Sequence, residues 1–164
     1  MIARYSVFYP NNYSDHTMSH IDILVATTSG NTEYLADQLS EQLIAAGHTT
    51  ELHYEPDYQQ LMTGDPAIWL CCIASHGAGD YADSMLDFAE QLSAQQPHLP
   101  LLRYAVIAVG DSNYDTYCAA GRDCDERLQQ AGATRLVSRL EIDMATDDPE
   151  QKSTDWLRSF IAAL

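Results

Sequence analysis

Short apolar runs alternate with longer amphipathic segments along most of the chain, beginning at Ile21. Ile21–Ala26 is a short, mostly apolar run, as expected for a strand. Leucines recur every fourth residue in the next segment, which is the spacing of one helix face. We predict strands at Ile21–Ala26, Thr49–Tyr54, Ile68–Ala74, Tyr104–Val109 and Leu136–Met144. We predict helices at Asn31–Ala46, around Leu86–Leu92, at Ala119–Ala131 and around Trp156–Ile161, with a further short helix before Ile68.

The predicted elements follow the order β-α-β-(short α)-β-α-β-α-β-α. Ile68–Ala74 and Tyr104–Val109 are continuous apolar runs, which is typical of strands covered on both faces. These features predict one doubly wound α/β domain over residues 21–164, with a mainly parallel sheet and helices on both faces. Residues 1–20 lack the pattern, so we expect a poorly ordered N-terminal extension, with Met18 as an alternative start.

In doubly wound sheets, ligands bind beyond the carboxyl ends of the strands, where the winding reverses. That rule selects three loops in this chain: Thr27–Thr32, Ser75–Ala82 and Gly110–Cys118. The first loop holds four hydroxyl groups at the start of a predicted helix. Hydroxyls and free helix amides bind phosphate, although Ser, Thr and Asn at this place are also ordinary helix caps. No Gly-Lys-Ser/Thr follows, so a monophosphate is favoured over a nucleoside triphosphate.

The second loop reads Ser75-His76-Gly77-Ala78-Gly79-Asp80-Tyr81-Ala82. Its GxGxxA spacing is a weak dinucleotide signal, and we discount it because the phosphate site is assigned to the first loop. The two glycines allow backbone conformations that are closed to other residues. His76 and Tyr81 are expected to bring flat side chains to the same edge. A general-base role for His76 is disfavoured because no nucleophile motif accompanies it.

The third loop offers small polar groups and two aromatic rings, Tyr114 and Tyr117. A planar heteroaromatic ligand would be stacked and edge-bonded by such residues. The alternative is a solvated loop whose tyrosines fold onto the core. No metal ion is predicted: His16 and His20 have helical spacing, but a terminus seldom pre-forms a site.

Charge narrows the choice of partner. The formal net charge is −16, and there is no Lys or Arg between Arg4 and Arg103. Nucleic acid is excluded as a partner because its affinity comes mainly from cations placed on phosphates. Anionic lipid is disfavoured for the same reason. A basic protein partner is favoured instead.

The four cysteines have no disulfide spacing, which favours a reducing, cytoplasmic setting. In particular, Cys71 and Cys72 would point to opposite faces of one strand. No apolar stretch approaches the length that spans a bilayer, so no membrane association is predicted.

The three loops together resemble those of the flavodoxin family, in its short-chain, MioC-like form, and of the FMN domains of diflavin reductases. The resemblance covers about residues 21–164 and implies a five-stranded parallel sheet in the order 2-1-3-4-5, with FMN as cofactor. It implies that the phosphate is held by Thr27, Thr28, Ser29, Gly30, Asn31 and Thr32. It places Ser75, His76, Gly77, Ala78, Gly79 and Asp80 in the second FMN loop, and Gly110, Asp111, Asn113, Tyr114, Tyr117 and Cys118 in the third.

Individual roles also follow from the resemblance. Tyr114 is expected to stack on the isoalloxazine, while Gly110, Asp111 and Asn113 face the ring edge or the ribityl chain. Gly77 occupies the position whose carbonyl accepts the N5 hydrogen of reduced flavin. His76 stands where many relatives carry an aromatic residue, so shielding of that ring face is expected to be poorer or pH-dependent.

The resemblance implies a monomeric electron carrier between an NAD(P)H-dependent flavin reductase and an acceptor enzyme. An NAD(P)H-dependent flavin or quinone reductase, or an FMN subunit of a larger reductase, is the alternative within this fold. A signalling receiver domain is the non-flavin alternative. It is disfavoured because the single lysine, Lys152, does not end the last strand.

Overall fold

The computed structural model describes residues 17–63, 67–94 and 98–164. Most of the predicted N-terminal extension, including His16, lies outside the described residues. Seven strands are described: β1 His20–Ala26, β2 Thr49–His53, β3 Ile68–His76, β4 Asp80–Tyr81, β5 Arg103–Gly110, β6 Thr134–Arg135 and β7 Leu140–Asp143. Five helices are described: α1 Asn31–Ala45, α2 Tyr58–Leu61, α3 Asp83–Ala94, α4 Ala119–Gln130 and α5 Pro149–Ala162.

The main sheet is parallel and doubly wound. Its order is β2-β1-β3-β5, and β6 and β7 both pair with the outer side of β5. β6 and β7 together occupy the fifth position of the predicted order 2-1-3-4-5. β4 is a short antiparallel addition to the end of β3. The carboxyl ends of β1, β3 and β5 therefore share one edge of the sheet.

The predicted last strand, Leu136–Met144, is wrong in its first half. The segment pairs with β5 at residues 134–135, leaves the sheet, and pairs again only from Leu140. In the gap, the carbonyl of Ser138 accepts a hydrogen bond from Trp156 Nε1 at 2.8 Å. The tertiary partner on α5 thus replaces a strand neighbour for this carbonyl.

The core lies on both faces of the sheet. On one face Trp69 and Phe88 make an edge-on ring contact with centroids 5.6 Å apart. On the other face Leu39 of α1 and Phe160 of α5 are both fully buried. Cys71 and Cys72 belong to opposite faces, as the strand pattern predicts, and all four cysteines are buried and free.

A buried carboxylate ties α4 to the sheet. Asp125 is 2% exposed, and its carboxylate accepts hydrogen bonds from the hydroxyl of Tyr104 at 2.8 Å and from Arg135 and Arg139 at 2.9 and 2.5 Å. The two arginines flank the gap in the last strand. Because a buried charge needs such partners, this pairing fixes both α4 and the segment between β6 and β7. No helix in the described ranges is long and apolar enough to cross a bilayer.

Candidate functional site

A pocket opens at the carboxyl ends of β1, β3 and β5, where the three predicted loops meet. Its volume is about 360 Å³, within the range of small-molecule sites. It is lined by Thr28, Ser29, Asn31, Thr32, Ala74, Ser75, Gly77, Val109, Gly110, Asp111, Tyr114, Thr116, Tyr117 and Met144. The fold therefore joins hydroxyls, glycines and aromatic rings that are far apart in sequence.

The first loop connects the end of β1 to the first turn of α1. Gly30 has a left-handed backbone with φ of 79°, which glycine adopts without strain. Its N–H donates to Thr27 Oγ1 at 3.2 Å, so Thr27 braces the loop and does not line the pocket. Within the described part of the chain, no side chain caps α1. The first-turn amides are thus open to an anion, which the helix dipole also favours.

The second loop is a tight hairpin in which β3 turns back into β4. Gly77 and Gly79 both have positive φ, 53° and 95°, and the N–H of Gly79 donates to the carbonyl of His76 at 3.0 Å. Gly77 lines the pocket, and none of the described atoms lies within 4 Å of where a Cβ would stand on it. The space beside Gly77 is therefore open, and its positive φ is what favours glycine there.

Side chains of this hairpin connect it to α4. The hydroxyl of Ser75 accepts the N–H of Ala120 at 3.0 Å, which bonds an otherwise orphan amide at the start of that helix. The hydroxyl of Tyr81 donates to Asp123 Oδ2 at 2.7 Å. Tyr81 therefore faces α4, and the expectation that it shares the loop edge with His76 is wrong. His76 itself is exposed and outside the pocket lining.

The third loop packs closely on the start of α4. A Cβ at Gly110 would lie 2.6 Å from the amide nitrogen of Cys118, so only glycine fits there. The thiol of Cys118 is buried and donates to the carbonyl of Ala108 at 3.4 Å. Burial raises the pKa of Cys118 to about 11, so the thiol stays neutral. Cys118 thus attaches the third loop to β5, whereas Tyr114 and Tyr117 line the pocket.

Asp143, at the end of β7, holds the third loop in place. Its Oδ1 accepts the N–H groups of Ser112 and Ala145 at 3.1 and 3.0 Å, and its Oδ2 accepts the hydroxyl of Thr146 at 3.1 Å. These hydrogen bonds lower the pKa of Asp143 to about 2. Sequence reasoning missed this residue because its partner, Ser112, lies in another loop.

Ten of the predicted site residues line the pocket, and eight do not. The eight are Thr27, Gly30, His76, Ala78, Gly79, Asp80, Asn113 and Cys118. Four lining residues were missed: Ala74, Val109, Thr116 and Met144. Met144 could have been found, because it follows the last strand at the same edge of the sheet as the three loops.

The pocket lining contains no lysine or arginine. Arg122 lies over the ring of Tyr117 at 5.5 Å, but its guanidinium is paired with both oxygens of Glu141 at 2.7 and 2.8 Å. Five other cations of the later part of the chain form salt bridges of their own: Arg127, Arg135, Arg139, Lys152 and Arg158. An anion in the pocket would therefore meet amides and hydroxyls rather than a free cation.

Comparison with known sequences identifies consistent relatives. A sequence model of the flavodoxin family matches residues 23–156. Protein MioC of Escherichia coli O157:H7 is 36% identical over 148 residues, covering 90% of this chain and 99% of that protein. The sulfite reductase (NADPH) flavoprotein alpha-component of Bacillus subtilis is 29% identical over 145 residues, covering 88% of this chain but only 24% of that longer protein.

Solved structures agree with the sequences. An alanine variant of flavodoxin from Pseudomonas aeruginosa matches with a TM-score of 0.80 and 26% identity, over 88% of this chain and 98% of that one. Oxidised flavodoxin 1 from Bacillus cereus matches with a TM-score of 0.73 and 26% identity, over 89% and 99% of the two chains. The predicted doubly wound fold and the resemblance seen in the loops are thereby confirmed.

Proposed function

Because this chain belongs to the flavodoxin family, we propose that it carries electrons one at a time from an NAD(P)H-dependent flavin reductase to an acceptor enzyme. FMN is the cofactor of the family, and it supplies the redox chemistry when bound. The residues present fit such a group, because the pocket combines an uncapped helix start with hydroxyls, aromatic rings and apolar side chains. This combination is the observation that carries the proposal.

At the phosphate end, we assign binding to the start of α1. Thr28 and Ser29 are exposed at the pocket, and the hydroxyl-bearing Thr32 is 2% exposed. Backbone amides and hydroxyls supply the hydrogen bonds, and the helix dipole supplies the favourable field. Since the lining has no lysine or arginine, the phosphate would be held without a salt bridge.

At the ring end, we assign stacking to Tyr114, which is 65% exposed beside the pocket. A large aromatic side chain left in water is more stable when it covers a flat ligand. Val109 and Met144 add apolar side chains to the same lining. We assign the backbone of Gly77, which lines the pocket with a positive φ, to the ring edge, where its carbonyl or N–H can form a hydrogen bond.

The charge of the chain bears on its partners. The excess of acid over base favours reductases and acceptors with basic docking surfaces. We propose that the protein acts as a monomer in the cytoplasm. An NAD(P)H-dependent flavin or quinone reductase is the second candidate, since the fold would serve either role.

Binding is tested by titrating flavin-free protein with FMN and, separately, with riboflavin, following quenching of flavin fluorescence. FMN should bind clearly more tightly than riboflavin, because only FMN fills the phosphate end. Ser29→Ala should weaken FMN binding about 3- to 10-fold, which corresponds to one hydrogen bond, and leave riboflavin unchanged. Thr134→Val, at the far end of the sheet, is the matched control. Equal binding of the two flavins would overturn the phosphate assignment.

The carrier role is tested with the FMN-loaded protein, NADPH and cytochrome c. Reduction of cytochrome c should require an added NAD(P)H-dependent flavin reductase. It should also fall steeply with salt, because partner docking is electrostatic. Rapid oxidation of NADPH by the loaded protein alone would instead establish the reductase alternative.

A further inference from the structure

A second and larger concavity lies at the opposite, amino-terminal edge of the sheet. Its volume is about 670 Å³. Two imidazoles and two carboxylates line it: His20 and Asp22 from β1, and Glu51 and His53 from β2. It is separated from the FMN pocket by the length of β1, and no step of the proposed electron transfer uses it.

Strand register brings these four side chains together. β1 and β2 are parallel, and Asp22 lies directly opposite Glu51. Side chains two residues apart point to the same face of a strand, so His20 and His53 share the face of the two carboxylates. The cluster therefore stands on two hydrogen-bonded strands, one of them in the middle of the sheet, rather than on a mobile loop.

The spacing suits a metal ion. The candidate ligand atoms of His20, Asp22 and Glu51 all lie within 4.8 Å of one another, and His20 Nε2 is 3.7 Å from Asp22 Oδ1. Zinc bonds to nitrogen and oxygen are about 2.0–2.2 Å, which places tetrahedral ligands roughly 3.4 Å apart. His20 and Glu51 are exposed, so their side chains can make the small remaining adjustment.

Thr49 and His53 contact two of the candidate ligands, His20 and Asp22, and orient them. His20 Nδ1 is 2.8 Å from the hydroxyl of Thr49; with Nδ1–H as donor, the lone pair of Nε2 is directed toward Asp22. His53 Nε2 is 2.9 Å from Asp22 Oδ1, and both side chains are only 15% exposed. Such outer hydrogen bonds on a histidine and a carboxylate are the usual support of a metal site.

Charge also points to a cation. Two carboxylates directly opposite each other on neighbouring strands repel. In the described ranges, no lysine or arginine forms a salt bridge with either Asp22 or Glu51. Arg103 lines the same concavity, but its Nη1 donates to the carbonyl of Leu164 at 3.3 Å. A divalent ion would relieve this repulsion.

We propose that His20, Asp22 and Glu51 bind one divalent transition-metal ion, with zinc as the best match, and that Thr49 and His53 orient the ligands. The imidazole ligand favours zinc over magnesium or calcium, which prefer oxygen ligands alone. Three protein ligands leave at least one position for water. The ion would clip β1 to β2 and stabilise that side of the sheet.

The test is calorimetric titration of the untagged full chain with Zn²⁺, with and without FMN, and titration with Co²⁺ followed by its visible absorption. One equivalent should bind, with the intense bands of a low-symmetry Co²⁺ site. His20→Asn and Glu51→Gln should each weaken binding at least 10-fold, and Thr49→Val by about 10-fold. His98→Asn and Glu90→Gln, both exposed elsewhere, are the matched controls and should bind like the parent chain.

Thermal unfolding shows whether the variants are folded, and it measures how much bound Zn²⁺ stabilises the chain. Zn²⁺ at a concentration that just saturates the parent chain should raise the midpoint of the parent and of both controls, and should raise that of His20→Asn or Glu51→Gln clearly less. FMN affinity should stay unchanged in all variants, which separates this proposal from the proposed function. The proposal is overturned if no saturable site is found, or if His20→Asn and Glu51→Gln bind zinc as tightly as their controls.

Discussion

Gly121 of α4 lies against Ala108 of β5 with no room for a side chain between them. A Cβ at position 121 would overlap Ala108 Cβ and lie 2.8 Å from Ala108 Cα. Ordinary contacts between carbon atoms are 3.5–4.0 Å. Gly121→Ala therefore requires α4 to move away from the sheet by about 1 Å, because β5 is held on both sides by other strands.

The cost of that movement can be worked out from two opposing effects. Overpacking a well-packed core costs about 1–3 kcal/mol, and the overlap with backbone places this site at the upper end. Alanine gains about 1 kcal/mol over glycine in helix propensity. The net loss in the free energy of unfolding should be about 2 kcal/mol. For a chain of this length, that lowers the melting midpoint by about 4–8 °C.

Urea denaturation followed by circular dichroism measures the loss of stability. FMN titration measures its effect on the site: α4 begins directly after Cys118, so a displaced helix shifts the third loop, and FMN binding should weaken several-fold. Glu126→Ala, on the exposed side of α4, is the control and should change stability by less than about 0.5 kcal/mol.

A double variant tests the cause. Ala108→Gly removes the methyl group that a new Cβ at position 121 would strike, so combining it with Gly121→Ala should recover part of the loss. The coupling free energy between the two sites should favour the double variant by about 1 kcal/mol or more. The packing argument is refuted if Gly121→Ala is as stable as the parent chain, or if the two losses simply add.

Three further predictions concern buried polar groups and the hairpin. Tyr104→Phe removes a buried hydroxyl that donates to Asp125; it should cost about 1–2 kcal/mol in urea denaturation without changing FMN affinity, and a loss below 0.3 kcal/mol would contradict the network. Asp143 has its pKa lowered to about 2 from an ordinary value near 3.9, so its stabilising contribution is present above about pH 4 and lost as the pH falls toward 2. The gap in melting midpoint between the parent chain and Asp143→Asn should therefore shrink between pH 5 and pH 2, and a constant gap would count against the hydrogen bonds to the Ser112 loop. Gly79→Ala forces φ of 95° on a residue with a Cβ that would lie 2.9 Å from Thr116 Cβ; FMN binding should weaken at least 5-fold by fluorescence titration, and unchanged affinity would show that the hairpin does not shape the pocket.

The fold could be predicted from the sequence because its central strands are apolar on both faces. Ile68–Ala74 and Tyr104–Val109 have no solvent-facing alternation to confuse with a helix or a surface strand, and both lie within observed strands. The last strand was wrong because its break depends on Asp125 and Trp156, which lie on other elements. The pattern of apolar residues within one segment contains no information about contacts with distant residues.

For the site, too, part could be predicted from the sequence and part could not. The three loops could be located because the carboxyl ends of parallel strands must share one edge of the sheet. Which side chains line the pocket could not, since Cys118 and Tyr81 are turned away by contacts with Ala108 and Asp123. The cluster of His20 and Glu51 was missed for a related reason: it exists only in the register of β1 with β2.

Acidic and basic residues are distributed unevenly along the chain. Between Arg4 and Arg103 the sequence has thirteen acids and no lysine or arginine, whereas seven of its eight cations lie from Arg103 onward among eleven acids. The first stretch contains β1 to β4, and the second contains β5 to β7. Formal charge therefore totals −13 in the first stretch and −4 from Arg103 onward. Since β2 is the outer strand next to β1 and the later strands lie beyond β3, the more acidic stretch forms the β2 side of the sheet. A basic partner approaching at low ionic strength would be attracted first to that side of the molecule.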